Sequence, residues 1–169
     1  MADRTRQIKR ATAAACLAVL LSLITAGAAR AALQLNLGSA TGEACDQVTL
    51  AITLQNESGT SVSATSNDIA YSSQYLTVVS ASLGPAAEAA GKSIIQNAVS
   101  NGLYRVGVVS MANLNAIPDG IVAYVTFEID CGAPETFYSI QNTPSGSTPQ
   151  GDPVDVSGTS GTITVSSGT

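Results

Sequence analysis

Histidine and tryptophan are missing from all 169 residues of the chain. Without histidine, neither a Ser-His-Asp nor a Cys-His nucleophile can be assembled, and the common zinc sites lose a principal ligand. Without tryptophan, sugar stacking must rely on two phenylalanines and five tyrosines. No Asp-x-Asp-x-Asp-Gly run occurs, which excludes an EF-hand-type calcium loop. Charge is sparse as well, at 11% of residues. Paired carboxylates could serve glycoside hydrolysis. Glu128 and Asp130, however, stand two apart on one strand and read as a solubilising edge, and sequence alone cannot pair Asp68 with Asp119 or Asp155. The expectation is a protein that is no enzyme and needs neither cofactor nor metal.

Most of the basic residues are at the start. Arg4, Arg6, Lys9 and Arg10 precede an uncharged, Ala- and Leu-rich run from Ala11 to Ala29, closed by Ala29-Arg30-Ala31. That is the layout of a secretory signal peptide, residues 1–31, with cleavage expected after Ala31 and with Cys16 discarded. The apolar run approaches the roughly 20 residues that span a bilayer, but its alanines and its small-residue exit favour cleavage, so no membrane insertion is expected afterwards. The remaining domain, residues 32–169, keeps Lys92 and Arg105 against eleven of the twelve acidic residues, a net charge of about −9. Such a surface repels nucleic acid and anionic membrane, and suits an extracellular or cell-surface setting, or the periplasm. Its length fits one domain with one core, and the expectation is a chain without linker, second module or C-terminal anchor. Cys45 and Cys131 remain. In an exported chain an isolated pair most simply forms a disulfide; a metal site from two thiols is the poorer alternative.

The rest is alternation broken by turns. Gly120-Ile-Val-Ala-Tyr-Val-Thr-Phe-Glu-Ile129 places apolar side chains at its odd positions and Tyr124, Thr126 and Glu128 at even ones, a strand with one dry face. Similar signals cover 33–37, 48–54, 62–71, 75–83, 93–99, 103–111, 135–140 and 162–166. Pro85 to Gly91, with proline leading and glycine closing, is the one short helix, and 142–153, rich in Pro, Ser, Gly and Thr, reads as a long loop. The fold class expected is all-β: a nine-stranded antiparallel β-sandwich with jelly-roll topology and one short helix.

Four segments, in order, resemble the cohesin domain, the dockerin-binding module of cellulosome scaffolds. They are Gly42-Glu-Ala-Cys-Asp46 leading into Val48–Leu54, then Ile69-Ala-Tyr-Ser-Ser-Gln-Tyr-Leu76 with Thr77-Val-Val-Ser80, then Gly120–Phe127, and finally Gly161-Thr-Ile-Thr-Val165. Ser72 and Ser73 stand where the family usually carries an acidic residue and a proline. The resemblance implies that the second and seventh strands are antiparallel neighbours, which would bring Cys45 and Cys131 to one end of a sheet. It also implies that a dockerin-type or other extracellular protein partner docks on the sheet of the third, fifth, sixth and eighth strands, here about 62–71, 93–99, 103–110 and 135–140. Parity turns Ala64, Ser66, Asp68 and Ala70 outward, together with Leu103, Arg105, Gly107 and Val109. Ser66, Asp68 and Arg105 are therefore the candidate partner-binding residues; the alternative for Asp68 and Arg105 is an ordinary surface ion pair of little energetic weight. A polysaccharide is the rival ligand, because related sandwiches bind cellulose. By parity Tyr71, Tyr104 and Phe127 belong to the core, leaving Tyr124 as the clearest exposed ring. A structural or adhesive surface role is the third reading.

Overall fold

In a computed structural model, which describes residues 33–167, strand alternation organises the chain into two sheets. The expected signal peptide lies outside the described residues. In chain order the elements are β1 (Leu33–Leu37), β2 (Ala40–Gly42), β3 (Gln47–Asn56), β4 (Ala64–Ala70), β5 (Leu76–Leu83), α1 (Pro85–Ala89), β6 (Ser93–Ser100), β7 (Leu103–Val109), β8 (Gly120–Ile129), β9 (Phe137–Ser147), β10 (Pro153–Val154), β11 (Val156–Ser157) and β12 (Gly161–Val165). The first sheet runs β11-β1-β3-β8-β5 and the second β2-β12-β9-β4-β7-β6, with β10 paired to β9. All nine expected strands are present, and β2, β10 and β11 are short additions. Pairing is antiparallel except for the brief β1–β11 and β2–β12 contacts.

The inward faces meet in one core. Leu35, Leu50, Ile52, Leu54, Leu76, Phe127 and Ile129 of the first sheet face Ile69, Val106, Ile140 and Ile163 of the second, all buried. Tyr71 meets Phe127 edge-on with ring centroids 5.4 Å apart, and Tyr75 tilts against Tyr138 at 5.7 Å. Clusters of this kind dominate the stability of a sandwich, since each large side chain buried adds about 1.5–3 kcal/mol.

Besides single-residue register shifts at Val79 in β5 and Val99 in β6, two departures from simple alternation shape the sheets. In β8 the pairing with β3 steps from Ile52↔Ala123 to Thr53↔Ile121, so Val122 is an inserted residue. The bulge resets the parity: Val122 and Ala123 are both buried and Ile121 only half-buried. The second departure is β9. The expected loop from 142 is strand up to Ser147, and a tight turn then returns the chain, Thr148 N–H donating to Asp152 C=O at 2.9 Å. The ladder that β4 offers to Gln141–Ser147 supplies the order that composition does not.

That half of β9 has a polar inner face. The Nδ2 of buried Asn67 donates to Asn142 Oδ1 at 2.8 Å, and Asn142 Nδ2 donates to the Leu35 carbonyl at 2.7 Å. The two amides thus link the sheets by hydrogen bonds where the apolar core ends.

Candidate functional site

The outer face of β9-β4-β7-β6 is built by register. Opposite residues of an antiparallel pair share a face, so Thr143, Asp68, Arg105 and Asn97 form one row across the four strands. The next row is Ser145, Ser66, Gly107 and Ile95. Ser66, Asp68 and Arg105 therefore share one surface. Small side chains keep the second row flat, and Gly107 leaves Ile95 standing clear of its neighbour.

Arg105 grips Asp68 with two parallel hydrogen bonds, Nε to Oδ1 and Nη2 to Oδ2, each 2.6 Å. These bonds hold the Asp68 carboxyl below its ordinary value, overcoming partial desolvation, and they raise the guanidinium of Arg105. The fork geometry fixes both side chains on the face. Across β4, β6, β7 and β9 no other residue is charged. In a domain with a large acidic excess, this sheet is close to neutral and presents a single dipole-like pair.

Three acidic side chains off this sheet hold backbone groups. The carboxylates of Asp46 and Asp130 accept from the backbone N–H groups of Glu43 and Gly132 at 2.8 and 2.7 Å, each closing a local turn, while Asp119, just before β8, accepts from Asn56 N–H at the end of β3 at 3.0 Å. Among the described residues no three His, Cys, Asp or Glu side chains gather as metal ligands would. Cys45 and Cys131 are joined by a disulfide at the far end of the neighbouring strands β3 and β8, with Cα atoms 4.4 Å apart.

Several expectations change. Residues 135–140 do not lie beside β4: Phe137–Ile140 pair with β12, and the β9 residues flanking β4 are Gln141–Ser147. The error follows from ending β9 too early. Tyr71 and Tyr104 pack against the core as expected, though only partly buried, and Tyr124 is half-buried on the outer face of the first sheet. The exposed ring is Phe137, on the second sheet, 76% accessible. Its parity, opposite to that of buried Tyr138 and Ile140, turns it outward. Ile95 and Val99 were also overlooked as surface features. Edge-strand position, which only topology reveals, leaves them exposed.

The family model of the cohesin domain matches residues 33–165. Among solved structures, the third cohesin of ScaC from Acetivibrio cellulolyticus, solved with the ScaB dockerin, shares 24% identity at a TM-score of 0.69, covering 80% of this chain and 99% of that one. CaCohA2 from Clostridium acetobutylicum is 22% identical at 0.67, covering 81% and 92%. A non-cellulosomal cohesin from the archaeon Archaeoglobus fulgidus is 17% identical at 0.66, covering 81% and 93%. No curated protein matches the sequence.

Proposed function

The chain belongs to the cohesin family, and from that premise we propose that it is an exported, non-catalytic module that binds a dockerin-type protein partner on the outer face of β9-β4-β7-β6. The supporting observation is the character of that face: flat, nearly neutral within an acidic domain, with the Asp68–Arg105 pair beside exposed Ile95. A protein partner can bury such a face without stranding charges, the arrangement typical of an interface core. Ser66 and Asp68 would offer acceptors to the partner, and Arg105 its unused Nη1. The role in view is to hold a dockerin-bearing protein, such as a polysaccharide-degrading enzyme, at the cell surface or outside it. Export would follow cleavage after Ala31, and N-terminal sequencing of the secreted protein should begin at Ala32.

Direct sugar binding is less well supported. Phe137 and Tyr124 lie on the outer faces of different sheets, so they cannot form one stacking platform.

The test is titration of residues 32–169 with a panel of recombinant calcium-loaded dockerins, the ScaB dockerin included, with and without chelator. At least one should bind at micromolar or tighter dissociation constant and lose binding when calcium is stripped. Gly107→Gln is the blocking variant. A Cβ at Gly107 meets nothing nearer than Ile95 O at 3.7 Å, so folding is unharmed while the added side chain rises from the face. No binding across the panel, or undiminished binding by Gly107→Gln, would refute the assignment.

A further inference from the structure

Among the described residues six large apolar side chains are exposed, and three of them belong to the part of the β6–β7 ladder that ends at the Ser93↔Val109 pair or to the segment after it: Ile95 (57% accessible) on β6, then Met111 and Leu114 after β7, whereas Val99 (43%) lies at the other end of β6. Met111 is fully accessible and Leu114 is 66% so. The outward row of β7 runs Leu103, Arg105, Gly107, Val109, and Met111 follows two residues beyond Val109. Val109 itself pairs with Ser93 at the start of β6. The connecting loop therefore leaves the sheet at the end of the ladder nearer Ile95 than Val99.

The loop is held in place. Ser110 Oγ accepts from the N–H groups of Ala112 and Asn113 at 3.1 and 3.2 Å. Asn113 Oδ1 accepts from buried Lys92 Nζ at 3.1 Å and from Asn115 N–H at 3.1 Å, while its Nδ2 donates to Gly91 C=O at 2.9 Å. Asn115 Nδ2 donates to Ala90 C=O at 3.3 Å. Buried Ile117 donates its N–H to Val62 C=O at 2.8 Å, anchoring the far side. Polar side chains fix the backbone and the two large apolar ones are left in water. A loop that served only as a connection would gain nothing from that arrangement. A binding loop gains a preorganised apolar contact, with its ordering entropy already spent. Asn113 also engages the Lys92 ammonium, and no charge lies between Val109 and Ile117.

We propose that Met111 and Leu114 form a second anchor for the same dockerin, which would meet them with an uncharged apolar ridge. The footprint is then skewed toward β6, β7 and this loop, with the hydroxyl- and alanine-bearing β4–β9 side as its polar rim. This inference rests on the docking assignment above and adds to it which part of the partner must be apolar.

Met111 is one of two methionines, and the other, Met1, lies in the leader. Residues 32–169 thus carry one oxidisable methionine, and a single added oxygen reports on Met111 alone. With a calcium-loaded dockerin from the panel that binds, Met111→Ser/Leu114→Ser should weaken affinity about 10- to 100-fold with an unchanged unfolding midpoint, and the complex should slow peroxide oxidation of Met111 several-fold. If Gly107→Gln abolishes binding while the double variant stays within about twofold and oxidation is not slowed, the second anchor is wrong and the docking face stands. If no dockerin binds, both fall.

Discussion

Replacing Cys45 and Cys131 by serine together tests how the sandwich is stabilised. The bridge spans a sequence separation of 86 residues. Tethering the unfolded chain over that length corresponds, on the loop-entropy estimate, to about 4 to 5 kcal/mol at 25 °C. Little native structure should be lost with the sulfurs. The strands they join are already zipped by the Gln47↔Glu128 register, by Cys45 N–H to Ile129 C=O at 3.1 Å and by Ile129 N–H to Asp46 C=O at 2.8 Å. The effect should therefore reside almost wholly in the unfolded ensemble. With a urea m-value of about 2 kcal/mol/M, the midpoint should fall by roughly 2 M. The m-value should also rise, because the untethered chain exposes more surface when it unfolds. Against an ordinary domain stability of about 5–15 kcal/mol, such a loss is plain in a denaturant titration followed by circular dichroism. A midpoint shift below about 0.5 M with an unchanged m-value would refute the reasoning. Either the unfolded chain would retain structure around both cysteines, or the bridge would strain the native end.

The buried amides give an ordering. Asn142→Ala leaves both the Leu35 carbonyl and the Asn67 amide without partners, whereas Asn67→Ala leaves only Asn142 Oδ1, so thermal or urea unfolding should show the first to be costlier, at about 2 to 4 kcal/mol against 1 to 2. Gly84→Ala and Gly161→Ala should each destabilise by at least about 1–3 kcal/mol, because the new Cβ would run into the carbonyls of Ile121 and Gly38. Gly107→Ala should leave the unfolding midpoint within error. Asp68 should titrate below the ordinary aspartate value by NMR, and Arg105→Gln should return it toward that value, since the hydrogen bonds of Arg105 are the main cause of its depression. Because the folded-state value is the lower one, the stability this pair adds is fully present above the ordinary aspartate value and disappears as pH falls through the depressed one.

Most of the framework was legible because the core strands obey a period of two. Val48–Leu54, Ile69 and Gly120–Ile129 announce their buried faces in sequence, and each becomes part of the core. The second half of β9 was not legible. Asn142-Thr-Pro-Ser-Gly-Ser147 has loop composition, and it becomes strand only because β4 presents a ladder to it and because the inner side there is bridged by amides rather than filled with hydrocarbon. The Val122 bulge was likewise hidden, since an all-apolar Ile-Val-Ala run carries no parity of its own. At the candidate site, Ser66, Asp68 and Arg105 could be placed on one face by parity and the resemblance. Ile95 and Val99 could not, because exposure on β6 depends on its being the last strand of its sheet. The hydrogen bonds that fix Met111 and Leu114 pass through Lys92, Asn113 and Asn115, residues with no local pattern to mark them.

The distribution of charge connects the fold to the docking proposal. An acidic domain resists crowding against other acidic surfaces through long-range repulsion, which salt screens over about 8–10 Å. A face cleared of that charge is where close approach is least opposed. Charge is sparse on the strands of both sheets, and on β9-β4-β7-β6 the one pair that remains is internally neutralised by its bidentate geometry. Binding there should consequently depend weakly on ionic strength and strongly on apolar contact. Raising salt from 50 to 500 mM should change the dissociation constant for a dockerin by less than about threefold. The Ile95→Ser substitution, by contrast, should raise it by tenfold or more. A steep salt dependence with tolerance of Ile95→Ser would mean that the partner reads the acidic surface instead, and would move the interface off this sheet.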